Sequence, residues 1–297
     1  MEIREELELS IAENSLLDMH SLLNVLNIVN YELFELSEGL GNPESLEKVM
    51  NGIKIFAHKL RDRNEALNQI ENVENFIQNI LTAMDEISSG RNTEEIRRIT
   101  NTKKNLDLVF SVLNVRAREI AARADNPHAW VMHDINQLKK NFLQVFKAIE
   151  QNARGRYRIV DNIACYEHGD YFLSLRIDSV NGSTVYIPAV FQDVIRDLIA
   201  NARKYTPPGG KIIAGFYQGE KEIRFVVMDN GRGIPEKEIP KLIEFGSRGS
   251  NVQDRPTRGG GFGLTKAYYV TKKHNGRMWI ENRKPKGTRI EIRIPLP

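Results

Sequence analysis

The sequence has little of what several classes of protein need. Its single cysteine, Cys165, excludes an intramolecular disulfide, and one thiol among six scattered histidines gives no metal-binding cluster. No apolar run approaches the roughly 18 residues of a membrane-spanning helix, and the acidic start of the chain lacks the features of a signal peptide. A net charge of only +3 over 297 residues gives no reason to expect nucleic acid as a partner. We therefore expect a cytoplasmic protein with no membrane span in this chain.

Proline and glycine are scarce before Asp125, where the sequence has one proline, Pro43, and four glycines. This scarcity, together with apolar residues at heptad spacing, predicts long helices. The first helix is predicted at residues 4–37. Its expected seam consists of Leu9, Ala12, Leu16, Met19, Leu23, Leu26 and Leu33.

The same reasoning predicts two further helices. Glycines and proline at residues 39–43 end the first helix, and a second one is expected as a single long arm over about residues 46–87. A third is expected at about residues 93–120, with three arrangements open: packing within the chain, extending the stalk, or making a self-contained bundle. Residues 1–125 are thus predicted to form an all-α helical hairpin or coiled-coil domain.

After residue 127 the pattern changes to short apolar stretches separated by glycine-containing turns. Strands are predicted at residues 130–135, 171–177, 184–187, 211–217, 223–228, 277–281 and 288–294. Helices are predicted at residues 137–151, 191–204 and 264–274. Grouped strands with helices able to cover one face predict an α+β two-layer sandwich for residues 127–297.

Four segments of this second domain carry residues suited to a nucleotide site. On a predicted helix, Asp197 and Asn201 are four residues apart and share a face, where a carboxylate and an amide can hold magnesium. A solvated helix face would show the same spacing. Asp229 ends a predicted strand, and Gly231 and Gly233 follow it, so that backbone can approach a ligand beside a carboxylate.

The other two segments are rich in glycine. Residues 259–263 have the sequence Gly-Gly-Gly-Phe-Gly ahead of a predicted helix, so bare amides and a helix N-terminus can cradle phosphates. Gly287 and Thr288 precede the last predicted strand. Each segment alone is a weak signal, because ordinary turns have the same composition, but their joint occurrence in this order is a strong one.

Together the four segments resemble the GHKL ATPase superfamily, which includes histidine kinases, DNA gyrase B, Hsp90 and MutL, over about residues 130–297. The resemblance implies a Bergerat-type sandwich that binds ATP and Mg²⁺. It implies that Asn201 holds magnesium, that Asp229 bonds the adenine and that Lys204 reaches the phosphates. The other nucleotide-binding residues that it implies are Tyr205, Gly231, Gly233, Phe245, Gly259, Gly261, Gly263, Leu264 and Thr288. Residues 246–258 would form a lid over ATP.

Asp197 departs from the family pattern. Histidine kinases usually have asparagine at the matching position, whereas the hydrolytic members have a glutamate that activates water. The resemblance therefore leaves two roles open for Asp197, a magnesium ligand beside Asn201 or a catalytic base.

Within the superfamily, residues 201–207 (Asn-Ala-Arg-Lys-Tyr-Thr-Pro) look like the sensor-kinase version, and a helical domain precedes the ATP module as it does in histidine kinases. Such a kinase needs a phosphoacceptor on its first helix, where His20 is the only histidine. We expect His20 beside the seam, within reach of ATP from outside. Asn24, one turn on, would assist the removal of phosphate from a partner regulator. Ser21 stands where the family usually has an acidic residue that takes the ring proton.

The predicted function is that of a sensor histidine kinase, with ATP-dependent autophosphorylation on His20 followed by transfer to an aspartate of a response-regulator receiver domain. Ser21 favours one alternative, an ATP-binding regulator phosphatase or scaffold without autokinase activity. Asp197 favours another, a GHKL-type ATPase. The expected assembly is a homodimer through the N-terminal helices.

Overall fold

A computed structural model of the protein describes residues 1–151, 157–252 and 260–297. The chain divides into two compact units, one formed by Leu9–Asp125 and the other by Met1–Glu8 together with Asn126–Pro297. The predicted domains, residues 1–125 and 127–297, differ from these units at the start of the chain, where the first eight residues group with the second unit. None of the described helices is long and apolar enough to cross a bilayer.

The regular secondary structure of the first unit is entirely helical. Its elements are α1 (Ile11–Gly39), a 3-10 turn (Pro43–Leu46), α2 (Glu47–Lys59), α3 (Arg63–Glu71), α4 (Val73–Glu86) and α5 (Thr93–Ala122). Ser10 caps α1, because its hydroxyl accepts a hydrogen bond from the Glu13 amide and the Glu13 carboxylate accepts one from the Ser10 amide. This capping box starts the helix at Ile11, so the predicted start at residue 4 was wrong.

The buried stripe of α1 only partly matches the predicted seam. Its apolar residues, alternately three and four positions apart, are Met19, Leu22, Leu26, Val29, Leu33, Leu36 and Leu40. The predicted seam shares Met19, Leu26 and Leu33 with this stripe, whereas Leu16 and Leu23 are only half-buried. α1 packs mainly against α5, with further contacts to α2 and α3, and the helices share one apolar core. The third predicted helix therefore packs within the chain.

The second arm of the predicted hairpin is three helices rather than one, so that prediction was wrong. Asp62 starts α3 by accepting hydrogen bonds from the amides of Asn64 and Glu65. At this break the hydroxyl of Ser15 donates to the carbonyl of Leu60, 3.0 Å away. The apolar spacing resumes in the same register after a single polar residue, Arg63, which is why heptad counting misses the break.

In its described residues, the second unit combines strands and three helices. Its strands are β1 (Glu2–Ile3), β2 (Trp130–Asp134), β3 (Ile159–Val160), β4 (Tyr171–Ser179), β5 (Thr184–Pro188), β6 (Lys211–Gln218), β7 (Glu222–Asp229), β8 (Arg277–Asn282) and β9 (Thr288–Pro295). Its helices are α6 (Ile135–Gln151), α7 (Phe191–Tyr205) and α8 (Phe262–Lys273), with 3-10 turns at Ile163–Cys165, Glu236–Ile243 and Ser250–Val252.

Within the described residues, seven of these strands form one sheet in the order β1-β8-β9-β7-β6-β4-β3. β4 is parallel to β3 and β6, and the remaining pairs are antiparallel. β2 and β5 form a separate antiparallel pair. α6, α7 and α8 contact the sheet on the side where alternate strand residues are buried, such as Ile212, Ala214 and Phe216 of β6. The predicted fold class, a helical domain followed by an α+β sandwich, is confirmed.

β1 and β3 were not predicted, because a strand of two residues carries no periodicity. β1 pairs with β8, where Ile3 lies opposite Met278. Ile3 is only 3% exposed, and the hydroxyl of Tyr268 donates to the carbonyl of Glu5, 2.6 Å away. The start of the chain thus belongs to the core of the second unit rather than to the first helix.

Candidate functional site

Asp229 is fixed at the end of β7 by backbone amides from two loops. One oxygen of its carboxylate accepts hydrogen bonds from the amides of Gly231, 2.8 Å away, and Thr288, 3.2 Å away. The side chain is 7% exposed, and burial raises the pKa of this carboxyl while the amide bonds oppose that rise. A carboxylate anchored in this way presents an acceptor in a fixed direction, which suits a ligand that carries an N–H donor.

The loops around Asp229 approach so closely that they require glycine. A Cβ atom on Gly231 would lie 2.6 Å from the carbonyl oxygen of Tyr205, the last residue of α7. Gly287 has a φ of +113°, and a Cβ atom there would collide with the carbonyl oxygen of Asp229. Glycine alone combines a positive φ with the absence of a side chain at low cost. The end of α7, the loop after β7 and the turn before β9 therefore converge on one place.

Two residues of this region were missed by the sequence analysis. Asn282, at the end of β8, accepts a hydrogen bond from the amide of Ile234 at 2.8 Å and donates to the carbonyl of the same residue at 2.7 Å. These two hydrogen bonds fix the loop next to Gly233, whose φ is +74°. Arg283 donates to the carbonyl of Asp229, 2.9 Å away. Neither residue lies in a glycine-rich segment, so no sequence signal pointed to it.

Asp197 and Asn201 lie on α7 in its last few turns, as their spacing predicted. Oδ2 of Asp197 is buried and accepts no hydrogen bond from the described part of the chain. An unsatisfied buried carboxylate oxygen is costly, and its chemistry fits a cation or a cation-bound water. Asn201 lies against the start of α8, where a Cβ atom on Gly263 would be 2.5 Å from its Nδ2.

These two side chains suit magnesium better than metals that need a cage of protein ligands. The described residues contain no group of three or more histidine, cysteine, aspartate or glutamate side chains able to hold a metal. Mg²⁺ is commonly held by one or two protein oxygens together with water and substrate phosphates. Asp197 and Asn201 therefore fit the role only if a phosphate-bearing ligand supplies further oxygens.

The first turn of α8 is packed against the segment before it. Gly261 caps the helix with a φ of +79°. The ring of Phe262 lies 4.5 Å, centre to centre, from that of Phe245, so the predicted nucleotide-binding Phe245 contacts the helix start. Leu264 is half-buried against the apolar core of the unit. The amides at this end of α8 thus lie beside Asn201.

The predicted lid, residues 246–258, is described only as far as residue 252, and the predicted site residue Gly259 also lies outside the described residues. In the described part, the Ser250 amide donates to the carboxylate of Glu238 at 2.8 Å. The side-chain amide of Asn251 donates to the carbonyl of Gly233 at 3.0 Å. This segment is therefore tied to the loop that follows Asp229.

Lys204 and Tyr205 end α7 beside these loops. The ammonium of Lys204 lies 5.2 Å from the centre of the Tyr205 ring. Burial lowers the pKa of Lys204 to about 8, and the charges of Arg248 and Arg203 add to this effect. Burial also raises the pKa of Tyr205. A lysine surrounded by cations and partly removed from water gains from an added phosphate more than an ordinary surface lysine does.

His20 and Asn24 lie in the helical unit. The Nδ2 atom of Asn24 is 3.0 Å from Nε2 of His20. His20 is only 6% exposed, so the expectation that ATP can reach it from outside was wrong for this arrangement. The helices that pack around α1 cover more of its circumference than the two-helix seam that we assumed, and they bury polar residues such as Ser15 and Glu32 as well.

Comparison with known proteins gives a family match that lies within the second unit. The family model of histidine kinase-, DNA gyrase B- and HSP90-like ATPases matches residues 187–297. The adaptive-response sensory kinase SasA of Thermosynechococcus vestitus is 32% identical over 117 residues, which are 37% of this chain and 30% of SasA. The sensor histidine kinase WalK of Bacillus subtilis is 33% identical over 104 residues, which are 34% of this chain and 17% of WalK.

The match thus spans less than a third of the length of these curated relatives. The solved catalytic domain of histidine kinase ThkA aligns at 20% identity with a TM-score of 0.41, covering 56% of this chain and 97% of that domain. The matched residues 187–297 include α7, Asp229, the start of α8 and Thr288, the parts that converge in the site described above. Residues 187–297 therefore form a domain of the histidine kinase-, DNA gyrase B- and HSP90-like ATPase family, which implies ATP as its ligand.

Proposed function

We propose that this chain is the ATP-binding and phosphotransfer part of a sensor histidine kinase, which phosphorylates His20 and passes the phosphoryl group to an aspartate of a response-regulator receiver domain. The observation that carries the proposal is that α7 joins two parts of the site. The end of α7 meets the loops that hold the carboxylate of Asp229 through the amides of Gly231 and Thr288. Asn201, on the same helix, contacts the start of α8. The names of the relatives SasA and WalK support a sensor kinase over the other activities of this ATPase family.

The residues divide into an adenine end and a phosphate end. The carboxylate of Asp229 accepts a hydrogen bond from the adenine amino group. A backbone amide holds this carboxylate in place, and glycines let the surrounding loops approach it closely. Lys204 and the amides at the start of α8, including those of Gly261 and Gly263, face the phosphates. Asn201 and Asp197 hold Mg²⁺, which neutralises charge on the phosphates when bound. Tyr205, Phe245, Gly233, Leu264 and Thr288 shape the pocket, and Gly259 belongs to the same glycine segment.

The contact between His20 and Asn24 leaves His20 in a nucleophilic form. An amide nitrogen can only donate a hydrogen bond, so Nε2 of His20 accepts it and the ring proton resides on Nδ1. When the hydrogen bond from Asn24 breaks and frees its lone pair, Nε2 attacks the γ-phosphorus, the bond from that phosphorus to the bridging oxygen breaks, and ADP leaves with that electron pair. The proton on Nδ1 then passes to water, because Ser21 stands where an acidic residue would take it. Because His20 is 6% exposed, this step requires α1 to open locally.

Incubation with γ-³²P-labelled ATP tests the assignment. Wild type should acquire acid-labile, alkali-stable label, His20→Ala should acquire none, and Asp229→Asn should be labelled weakly because it binds less ATP. His58→Ala is the matched control, since His58 is an exposed histidine of α2 in the same unit. Label retained by His20→Ala at the wild-type level would refute His20 as the acceptor.

The burial of His20 favours a second candidate, an ATP-binding phosphatase or scaffold for a regulator that does not phosphorylate itself. In that case Asn24 positions the water that removes phosphate from the receiver domain, and Asn24→Ala should abolish this dephosphorylation. A receiver domain charged with acetyl phosphate provides the assay. Rapid dephosphorylation together with the absence of label on wild type would select this candidate.

Oδ2 of Asp197 accepts no hydrogen bond from the described residues, and this favours a third candidate, an ATPase in which Asp197 acts as the base. Steady ATP hydrolysis that Asp197→Asn abolishes while ATP still binds would select it. A homodimer through the N-terminal helices remains part of the kinase proposal, and sedimentation of the full chain measures it.

A further inference from the structure

α7 and α8 are joined by a buried ion pair that the proposed function has not yet used. The ammonium of Lys266 lies 2.8 Å from Oδ2 of Asp193, and each side chain is 1% exposed. Arg196, one turn along α7, donates to Oδ1 of the same carboxylate and is 6% exposed. Placing a lysine and an aspartate out of water costs several kcal/mol per ion, so the pair needs good geometry to persist.

The pair lies in line with the proposed phosphate end of the site. Asp193, Asp197 and Asn201 follow one another at intervals of four residues along α7, so they share one side of the helix. Asn201 contacts α8 at Gly263, and Asp193 contacts it at Lys266. The first turn of α8 is therefore held at both ends. Between these two contacts on α7 lies Asp197, whose Oδ2 is buried without a hydrogen bond from the part of the chain that the structure describes.

We propose that Lys266 is a positioning residue that fixes the first turn of α8 against α7, so that the phosphates and Mg²⁺ of ATP, but not its adenosine, depend on it. The inference rests on the proposed ATP site and extends it to a residue outside the glycine segments. A translation of the α8 start by one turn or less would separate Gly263 from Asn201 and misalign the phosphate-facing amides. The adenine end at Asp229 would be unaffected, because other contacts hold its loops. These are the hydrogen bonds made by Thr288 and Asn282 and the close approach of Gly287 to Asp229.

Lys266→Met tests this without leaving a bare buried charge, because Arg196 still pairs with Asp193. The affinities of the full chain for Mg-ATP and for adenosine are measured by calorimetry. We expect the dissociation constant for Mg-ATP to rise about tenfold or more, since small misplacements of positioned groups have effects of that order. The dissociation constant for adenosine should change less than about twofold. Lys272→Met is the matched control, an exposed lysine of the same helix, and should leave both constants unchanged.

Lys266→Arg guards against a folding defect, because it keeps a cation opposite Asp193, and it should recover much of the wild-type Mg-ATP affinity. If Lys266→Met weakened the binding of Mg-ATP and of adenosine equally, the role of Lys266 would be merely structural and the inference would be overturned. Wild-type affinity of Lys266→Met for Mg-ATP would overturn it as well. Failure of wild type to bind Mg-ATP would refute the proposed function itself, which is a separate outcome.

Discussion

Gly287 gives the sharpest test of how the loops form the site. Its φ of +113° lies in a region that costs a residue with a side chain about 1 to 3 kcal/mol. In addition, a Cβ atom at this position would collide with the carbonyl oxygen of Asp229 and lie 2.8 Å from Cα of Asn230. Relieving that collision by a backbone shift costs a further 1 to 3 kcal/mol or so. Gly287→Ala should therefore lower the free energy of unfolding of this unit by about 2 to 6 kcal/mol and displace Asp229.

Gly169→Ala is the matched control, because Gly169 has a φ of +97° in the same unit, but a Cβ atom added there would meet no other atom within 4 Å. Its free energy of unfolding should fall only by the cost of the positive φ, about 1 to 3 kcal/mol, and its nucleotide affinity should not change. Urea denaturation gives the two free energies, and calorimetry gives the affinities for ATP. If Gly287→Ala matched Gly169→Ala in both measurements, the close approach of the turn before β9 to Asp229 would not matter, and our description of the site would be wrong.

Three further predictions concern Lys204, His20 and the core of α1. Because only the protonated ammonium of Lys204 attracts phosphate and its pKa is about 8, ATP affinity measured against pH should fall as pH rises through 8, and Lys204→Met should flatten that dependence. Diethyl pyrocarbonate, followed by mass spectrometry, should modify His20 far more slowly than the exposed His58, and equal rates would contradict the buried arrangement of α1. Leu26→Ala, at a fully buried position of α1, should lower the free energy of unfolding of the helical unit by about 2 to 5 kcal/mol in urea denaturation.

The sequence predicted the second unit in most of its elements because its signals are local. Strands such as β6 and β7 alternate buried and exposed residues, and the helices α7 and α8 carry continuous apolar faces. The glycine segments also indicated where loops meet, since Gly231 and Gly287 stand where the backbone leaves no room for a side chain. The pairing of β1 with β8 was beyond prediction, because it joins residues almost the whole chain apart.

The helical unit was harder to predict because its details depend on tertiary contacts. The break before α3 follows from the cap at Asp62 and the bond between Ser15 and Leu60, neither of which changes the heptad spacing. The burial of His20 depends on how many helices surround α1, which the pattern of one helix does not reveal. Asp193 and Lys266 belong to none of the four segments that resemble the family, so only the packing of α7 against α8 reveals their pairing.

Asp229, Asn201 and the start of α8 together form the ATP site that we propose. Calorimetric titration of the full chain with ATP, with and without Mg²⁺, tests it most directly when wild type is compared with Asp229→Asn. We predict binding of one ATP per chain, tighter with Mg²⁺, and at least tenfold weaker binding by Asp229→Asn, about 1.4 kcal/mol or more. No binding by wild type, or equal binding by Asp229→Asn, would contradict the account.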